Sequence, residues 1–525
     1  MTRSNKIIWL GCLLCWMFTG VGLADDWPTY HHDAHRSAMT AESLTPPLYE
    51  DWRYQPLYAP QPAWPEPART DYWHRMQNLK ARVIYDRAFH PILVGERFFF
   101  ASSSDDCIYC IDAVSGEERW HFATEGPVRL APTWNKGRLY VGSDDGCVYC
   151  LQADTGVLIW KWRHPDPPRL IPGNERIISH RPVRTGLIVE NERVLFFTGL
   201  FPDEGVDWFE LNAADGSVNR RQQDLDISPQ GYVWLAKDKL YVPTGRTAPA
   251  IFSKSTGEKL GKLQETGGTF AFLEDDQPIF VPAKLGEVRA DKDFSNPVVT
   301  YSGEQIIVHG TISFLRSDSQ ITAVYRHQFS EIHRDTEKLR KQRGELAEKL
   351  WDLREQRKLR RDSNPKKIDQ EIDRTIEKLA ELDQTLDGRN RTGIKWQRRI
   401  DDSYAMILAG STLFLGGDNL ITALSAEDGR VLWKNAIHGK GYGLAAANGR
   451  LVVSTDLGTL HCFSTTKIVR HKVIEQRQKP VVLSSSSTSP DYAQIADRLL
   501  SESGIRQGYC LVLGNGSGEL ALALA

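Results

Sequence analysis

Two pairs of cysteines at C-x-x-C spacing are the first residues in this chain whose types and spacing could do chemistry. The stretch "DCIYCIDAVSGEERW" holds Cys107 and Cys110, and "GCVYCLQADTGVLIW" holds Cys147 and Cys150. Such pairs bind zinc or form redox pairs when a turn separates the cysteines. The spacers here are "IY" and "VY", which favour a strand, where residues i and i+3 point to opposite faces. We therefore expect packing cysteines. A disulfide between Cys107 and Cys147 is the alternative.

A histidine-rich stretch is the second candidate for a metal site. "YHHDAHRSAM" places His31, His32 and His35 close together, and a His-x₃-His spacing can bind a metal on a helix. Pro28 and the turn-like residues that follow do not establish a helix. We therefore interpret the stretch as a structural lead-in to the fold.

Two acidic turns, Ser104–Asp106 and Ser143–Asp145, are the third candidate. Carboxylates could bind calcium there, but Asp and Gly also suit the backbone of an ordinary turn. We expect solvated turns and predict no metal ligands and no catalytic residues.

The elements that position these residues repeat every forty residues. Cys107, Tyr109, Gly116 and Trp120 each recur forty positions later, and Gly156 and Trp160 belong to the second copy. Each copy contains four short apolar runs separated by turn residues. A fixed period near forty residues with four strands per unit is typical of a propeller blade.

Weaker copies follow, and eight units are predicted in all. The later units lie at 184–218, 232–260, 269–292, from 298 onward, at 404–433 and at 442–464. The last unit lacks its outer strand, which Trp52 and its neighbours in 48–56 could supply, closing the ring and removing exposed sheet edges. The predicted fold class is all-β, an eight-bladed β-propeller over residues 25–470.

The repeat resembles that of a known family. "CIDAVSGEERW" and "ALSAEDGRVLW", which contains Gly429 and Trp433, are similar to the A-x-D-x-x-T-G-x-x-x-W repeat of pyrroloquinoline-quinone-like β-propellers. That family includes quinoprotein alcohol dehydrogenases and an outer-membrane assembly lipoprotein. The departures from the repeat are Gln152 and Ser425 in place of Asp, and Arg220 and Gly261 in place of Trp.

The resemblance implies the fold more firmly than an activity. Quinoprotein dehydrogenases use a vicinal disulfide, a Glu/Asn/Asp calcium site and a catalytic Asp. This chain has no vicinal cysteines, and no acidic group can be assigned to those roles. We therefore predict a non-catalytic binding scaffold. A quinoprotein oxidoreductase that uses pyrroloquinoline quinone with calcium is the alternative.

Residues 331–388 change character within the propeller. They are highly charged, and apolar residues at spacings of three, four and seven predict two amphipathic helices joined near Pro365. We expect an antiparallel coiled-coil hairpin inserted in a loop. It is either a passive spacer or an arm that binds a protein partner.

The C-terminal part differs again. After a linker at 471–489, residues 490–525 predict a helix that Ser489 caps and Gly504 ends, then a buried strand, a G-x-G-x-G loop of Gly514, Gly516 and Gly518, and the start of a helix. This resembles the first motif of S-adenosylmethionine methyltransferases. With no second strand before Ala525, we expect an incomplete Rossmann-like segment. A truncated propeller–methyltransferase fusion is a second alternative function, and a linker with a docking helix explains the same residues.

The N-terminus and the composition bound the location and the partners. Arg3 and Lys6 precede an apolar run that ends at Ala24, so residues 1–24 predict a secretory signal. The mature protein is expected in the periplasm, at the cell surface or secreted, with no transmembrane segment. The formal net charge of −2 predicts no nucleic-acid partner.

Overall fold

The computed structural model divides the chain into two compact units, Met1–Glu475 and Gln476–Ala525. It describes residues 25–64, 85–173, 176–223, 225–235, 237–245, 247–263, 268–274, 277–282, 287–291, 297–302, 304–317, 319–358, 365–467, 472–476, 491–505, 512 and 518–524. The predicted signal sequence lies outside these residues.

The larger unit is built mainly from small antiparallel sheets. Two short strands come first, β1 (Met39–Thr40) and β2 (Tyr49–Gln55). The first sheet contains β3 (Ile92–Val94), β4 (Arg97–Ala101), β5 (Cys107–Asp112) and β6 (Glu118–Ala123). The second contains β7 (Thr133–Asn135), β8 (Arg138–Gly142), β9 (Cys147–Gln152) and β10 (Leu158–Arg163).

The next elements are two connecting strand pairs and the strands of the third and fourth sheets. Two connecting pairs are antiparallel β11 (Leu170–Gly173) with β12 (Arg176–Ser179), and parallel β13 (Thr185–Gly186) with β18 (Gly231–Tyr232). The third sheet contains β14 (Ile188–Glu190), β15 (Arg193–Thr198), β16 (Asp207–Asn212) and β17 (Val218–Gln222), with a short 3-10 helix at Pro202–Glu204. The fourth contains β19 (Trp234–Leu235), β20 (Lys239–Thr244), β21 (Thr247–Ser253) and β22 (Lys259–Lys262).

The fifth and sixth sheets complete the separate four-stranded units. The fifth contains β23 (Gly268–Glu274), β24 (Gln277–Pro282), β25 (Glu287–Asp291) and β26 (Pro297–Ser302), and the sixth contains β27 (Gln305–His309), β28 (Ile312–Arg316), β29 (Gln320–Tyr325) and β30 (Ile394–Arg399). The predicted start of a unit at residue 298 was therefore wrong, because β26 pairs with β25. Both strands are short β-favouring runs, and their sequence does not say which neighbour they pair with.

The last sheet has eight strands. In spatial order it contains β1, β31 (Ser403–Ala409), β32 (Thr412–Ser425), β33 (Val431–Ala447), β34 (Arg450–Thr455), β35 (Leu460–Ser464), β2 and β36 (Lys472–Glu475). The long β33 pairs with β32 through its first part and with β34 through its second. Strand β2, from the start of the chain, lies antiparallel to β35. Strand β36 lies parallel to β2 within the stretch predicted as a linker, so that linker begins later than expected.

Tryptophans join several of the sheets to the next one. The Trp120 indole donates a hydrogen bond to the Ala153 carbonyl of the second sheet at 3.1 Å, and Trp160 donates to Ala213 of the third at 3.1 Å. Gly156 has φ +71°, and a Cβ there would lie 2.6 Å from the Trp120 ring. The turn therefore needs glycine for both its backbone and its contact. These repeated sheets, packed face to face around an axis, form a β-propeller.

The same contact joins the two ends of the ring. Trp52 of β2 donates to the Ala113 carbonyl of the first sheet at 2.9 Å, and it is 1 % exposed. A Cβ at Gly116 would lie 2.7 Å from its ring. The first and last parts of the propeller are thereby held together.

Other positions in the ring vary this contact. Trp396 donates to Ala426 and covers Gly429, although the sequence analysis did not single out Trp396. Trp433 packs edge to face on Phe463, with ring centroids 5.4 Å apart.

Arg220 stands where the repeat has tryptophan. Its guanidinium lies over the Trp208 ring, 5.7 Å from the centroid, and donates to the Ser255 carbonyl of the next sheet. Trp208 of the neighbouring strand is fully buried and covers Gly257. An indole therefore still packs between these two sheets, but Trp208 supplies it instead of residue 220.

Three helices lie between β29 and β30. They are α1 (Arg326–Asp335), α2 (Glu337–Lys358) and α3 (Pro365–Arg391), so the insertion is slightly longer than predicted. Ion pairs between α2 and α3 join Arg343 to Asp383, Lys349 to Glu371 and Arg357 to Asp369. This order of partners shows that the two helices run antiparallel.

The smaller unit contains helices α4 (Tyr492–Ser503) and α5 (Glu519–Leu524). The side chain of Asp491 caps α4 by accepting from the Gln494 amide, whereas Ser489, the predicted cap, lies outside the described residues. Gly504 ends the helix with φ +66°, at the predicted position. Gly514 and Gly516 also lie outside the described residues, and Gly518 precedes α5.

Candidate functional site at the propeller axis

A segment that precedes the first sheet lies at the propeller axis. We call residues 25–44 the lead-in segment. Its backbone forms hydrogen bonds to the first strand of four different sheets: Trp27 with Leu93 of β3, Pro28 with Trp134 of β7, Ala34 with Leu235 of β19, and Ala38 with Leu408 of β31. The first strands of a propeller's sheets meet only around the axis. The lead-in segment therefore occupies the axis itself.

Stacked rings fill the centre of this segment. The Tyr30 ring stacks on Tyr232 at a centroid distance of 3.5 Å with planes 3° apart, and on His31 at 3.9 Å with planes 15° apart. Two rings cannot both stack on one face at these distances, so both faces of Tyr30 are covered. Tyr30 and Tyr232 are buried, and burial raises the pKa of both phenols.

Arg36 holds the lead-in segment in this position. Its guanidinium is 5 % exposed and donates to the carbonyl oxygens of Val233, Tyr30 and Asp33 and to the Thr29 hydroxyl. It also lies 5.6 Å from the centroid of the Tyr232 ring. Burial lowers the pKa of Arg36 to about 10, so it stays charged at neutral pH. This one side chain connects the segment to the fourth sheet.

A buried ion-pair cluster lies beside the rings. Asp144, 1 % exposed, accepts from Arg184 at 2.8 Å through each carboxylate oxygen, and from Arg129 at 2.6 Å. Arg129 also contacts Asp86 at 3.3 Å and the Gln61 carbonyl at 2.6 Å. Burial would raise the pKa of the Asp144 carboxyl, but the two guanidinium groups outweigh it and lower that pKa. The cluster ties the chain before the first sheet to the second and third sheets.

This cluster corrects the prediction of solvated turns. Ser143, Asp144 and Asp145 are all buried, and Asp145 accepts from the Tyr149 hydroxyl at 2.5 Å. The partners of Asp144 are 15 and 40 residues away, and the backbone of the turn is hydrogen-bonded to Pro127, Ser179 and Val183. The earlier turn, Ser104–Asp106, is half-buried. A sequence signal existed in the tyrosines four residues after Asp105 and Asp145, whereas nothing in the sequence marked the arginines.

One group of three metal-ligating side chains comes together among the residues that the structure describes. It consists of His164, Asp166 and Asp207, and the His164 imidazole lies 2.7 Å from Asp207. Arg181 and Arg221 also contact Asp207, at 3.0 and 2.7 Å, and both contact Asp166. A divalent cation would face two guanidinium groups there. The carboxylates are already neutralised, so the group does not fit a metal site.

The predicted histidines do not converge. His31 stacks on Tyr30, His32 lies 3.0 Å from the Asp25 carboxylate, and His35 is exposed. Four positions of this stretch, His31, His32, Arg36 and Ala38, have positive φ. The stretch is thus a tightly turned lead-in and not a helix, which is why the His-x₃-His spacing brings no ligands together.

The five cysteines that the structure describes are free thiols in strands. Cys110, Cys147, Cys150 and Cys462 are buried, and Cys107 is half-buried. Burial raises the pKa of the Cys110 thiol to about 12 and that of Cys150 to about 11. Such thiols stay protonated at neutral pH and are poor metal ligands or nucleophiles.

A small pocket opens beside the stacked rings. It measures about 260 Å³ including its opening, and Tyr30, His31, His90, Met406 and Tyr442 are among the residues that line it. Burial lowers the pKa of His90 to about 4, and its Nε2 donates to the Tyr85 carbonyl at 2.8 Å. At neutral pH the imidazole is therefore uncharged, and its Nε2 hydrogen is already donated to the Tyr85 carbonyl.

No helix in the described part of the chain combines the length and the apolar composition that crossing a bilayer requires.

Comparison with known proteins gives one family match. The model described as outer membrane protein assembly factor BamB matches residues 69–218 and 377–518, which is more than half of the chain. No curated protein matches this chain.

Similar solved structures include three dehydrogenases. The quinohemoprotein alcohol dehydrogenase from Comamonas testosteroni is 11 % identical with a TM-score of 0.52, covering 91 % of this chain and 85 % of that one. ADHIIG from Pseudomonas putida HK5 is 12 % identical with a TM-score of 0.52, covering 93 % and 86 %. A europium-containing methanol dehydrogenase is 9 % identical with a TM-score of 0.51, covering 84 % and 98 %. At these identities the likeness shows the shared fold alone.

Proposed function

The chain belongs to the family of the outer membrane protein assembly factor BamB, and on that premise we propose that it is an exported, non-catalytic propeller that binds protein partners as a scaffold. An assembly factor binds other proteins, and we extend only this protein-binding role to the chain. The predicted signal sequence places it in the periplasm or at the cell surface. We further propose eight blades, with β33 shared by the last two, and a coiled-coil arm.

The observation that carries this proposal is the filled axis. A catalytic propeller needs an open cleft where its first strands converge. Here Tyr30, Tyr232 and His31 stack at that position, and Arg36 is hydrogen-bonded across to the fourth sheet. Displacing these groups would break the contacts that join the lead-in segment to four sheets.

The same residues test whether a quinone cofactor fits. The dehydrogenases of this fold suggest pyrroloquinoline quinone with calcium, a planar anionic group that stacks on aromatic rings. Both faces of Tyr30 are already covered, and Arg129 and Arg184 are bound to Asp144. Among the described residues, the acidic group that most resembles a metal site is Asp166 and Asp207 with His164. Two arginines contact its carboxylates. The residues at the axis do not fit this cofactor.

The C-terminal segment adds no activity to the proposal. The family match extends to residue 518 and so covers most of the stretch compared above with methyltransferases. No comparison supports that second resemblance. We therefore propose no role for S-adenosylmethionine.

Apolar side chains exposed on the propeller mark a surface for partners. Leu170 of β11 and Ile177 of β12 are 63 % and 62 % exposed, and Phe201 is 48 % exposed. Leu170 and Ile177 lie on the strand pair before the third sheet, and Phe201 lies on the loop between β15 and β16 of that sheet. Exposed apolar groups of this size favour protein contacts.

The proposal is tested first by reconstitution. The protein is incubated with pyrroloquinoline quinone and calcium and desalted, and quinone absorbance and dye reduction with simple alcohols are measured. We expect no retained quinone and no turnover, because the stacked rings occupy the axis. A quinoprotein alcohol dehydrogenase treated in parallel is the control. One quinone retained per chain, with turnover, would contradict the proposal.

The second arm of this test looks for the partner. A photo-crosslinking amino acid is placed at Ile177 and, as the matched control, at Val114, which is 49 % exposed on a turn of the first sheet. In cells, we expect discrete protein adducts from position 177 and none from position 114. Equal adduct patterns at both positions would place partner binding elsewhere or nowhere.

A further inference from the structure

The tip of the helical hairpin carries a charge that the rest of the hairpin lacks. We define the tip as residues 354–358 and 365–368, and the shaft as the other residues of α2 and α3. The tip has one acidic residue, Glu355, and five basic ones: Arg354, Arg357, Lys358, Lys366 and Lys367. The shaft has nine basic and eleven acidic residues. Positive charge is therefore concentrated where the two helices end together.

The hairpin is stiff enough to hold this tip away from the propeller. Leu353, Ile368 and Leu386 are buried, and three ion pairs link α2 to α3. At 1.5 Å per residue, the 22 residues of α2 span about 33 Å and the 27 of α3 about 40 Å. The tip is thus the part of the hairpin that first meets another surface.

An exposed tryptophan accompanies the basic residues. Trp351 is 64 % exposed, and it lies seven residues, or about 10 Å of helix, before Lys358. Its neighbour one turn further along the helix is Arg354. Tryptophan prefers the boundary between water and lipid, because its ring is apolar and its N–H can stay hydrated.

We propose that the hairpin tip binds the surface of a bilayer rich in anionic lipid, with Lys366, Lys367 and Arg354 at the phosphates and Trp351 in the headgroup region. Lysines and arginines beside an anionic bilayer each strengthen binding, and this contact requires no apolar groove. A protein interface of ordinary size buries roughly 800 Å² per partner around an apolar core. Trp351 is one large exposed apolar side chain near the tip, so the bilayer is the better match.

The experiment uses the full chain and large unilamellar vesicles. Binding is measured by co-sedimentation with phosphatidylglycerol–phosphatidylcholine vesicles and with pure phosphatidylcholine vesicles, at low and high salt. We expect binding to the anionic vesicles alone, weakened by salt. The double variant Lys366→Glu and Lys367→Glu should bind at least tenfold more weakly, and Trp351→Ala several-fold.

The matched control is Lys338→Glu with Lys341→Glu, which makes the same charge change at exposed positions of the shaft. It should change binding less than twofold, and thermal unfolding should be unaltered in all variants. Equal loss in the tip and shaft variants would overturn the proposal, as would no binding to anionic vesicles. Binding of polyglutamate in the absence of vesicle binding would also overturn it, in favour of an acidic protein. The quinone result bears on none of these outcomes.

Discussion

Replacing Trp52 with alanine is expected to lower the free energy of unfolding of the propeller by about 3–5 kcal/mol. Trp52 is 1 % exposed and packs against Phe98 and the turn at Gly116 in the first sheet. Its indole also donates to the Ala113 carbonyl. Alanine would leave a cavity at a contact where a strand from the start of the chain joins the last sheet to the first.

Urea denaturation followed by tryptophan fluorescence and circular dichroism measures this loss. Trp351→Ala is the matched control, because the same substitution at a 64 % exposed ring should change stability by less than about 0.5 kcal/mol. Limited proteolysis should release residues around β2 first in the Trp52 variant. If both variants unfold at the same urea concentration, Trp52 does not close the ring.

Replacing Asp144 with asparagine should cost about 3–5 kcal/mol at neutral pH. The change leaves Arg129 and Arg184, 5 % and 2 % exposed, without the carboxylate that both contact. Arg184 would lose the carboxylate that it pairs with, and Arg129 would keep the 3.3 Å contact with Asp86, so the buried positive charge would be poorly compensated. The control is Asp154→Asn, which removes a carboxylate paired with Arg97 at a 59 % exposed side chain and should cost less than about 1 kcal/mol.

The pH dependence of this difference follows from the pKa of Asp144. The two guanidinium groups lower that pKa in the folded protein below its ordinary value of 3.8. The carboxylate therefore contributes its full stability above about pH 4, and the contribution is lost as the pH falls through the folded pKa. Urea midpoints of wild type and Asp144→Asn should converge in acid. A constant difference down to pH 2 would show that the lost stability is not electrostatic.

The sequence could predict the small sheets because the repeat is local. Trp120 and Trp160, with the glycines near them, recur at a fixed period, and the strands of the first five four-stranded sheets come from consecutive stretches of the chain. The period could not assign β26, because a short strand pairs with either neighbour equally well by composition. Nor could it show that Trp208 replaces the tryptophan missing at position 220, since the substitute lies on another strand.

Sequence patterns could not predict which side chains meet at the axis, for a related reason. Asp144 and Arg184 are 40 residues apart, and Tyr30 and Tyr232 about 200, so no spacing marks them as partners. The His-rich stretch was interpreted as a structural lead-in, but nothing in its spacing indicated that its rings stack at the axis. Only the folded ring shows that Tyr30 fills the axis where a ligand would otherwise lie.

Hydrogen exchange of the native protein, read by mass spectrometry, tests the central claim most directly, since it asks whether residues 27–38 belong to the propeller core. The Trp27 amide donates to the Leu93 carbonyl of β3, and the Arg36 and Ala38 amides donate within the segment, to Asp33 and His31. We predict that peptides from this segment exchange as slowly as those from 405–409 in β31. Exchange of residues 27–38 at the rate of an unfolded chain, while β31 stays protected, would contradict the account.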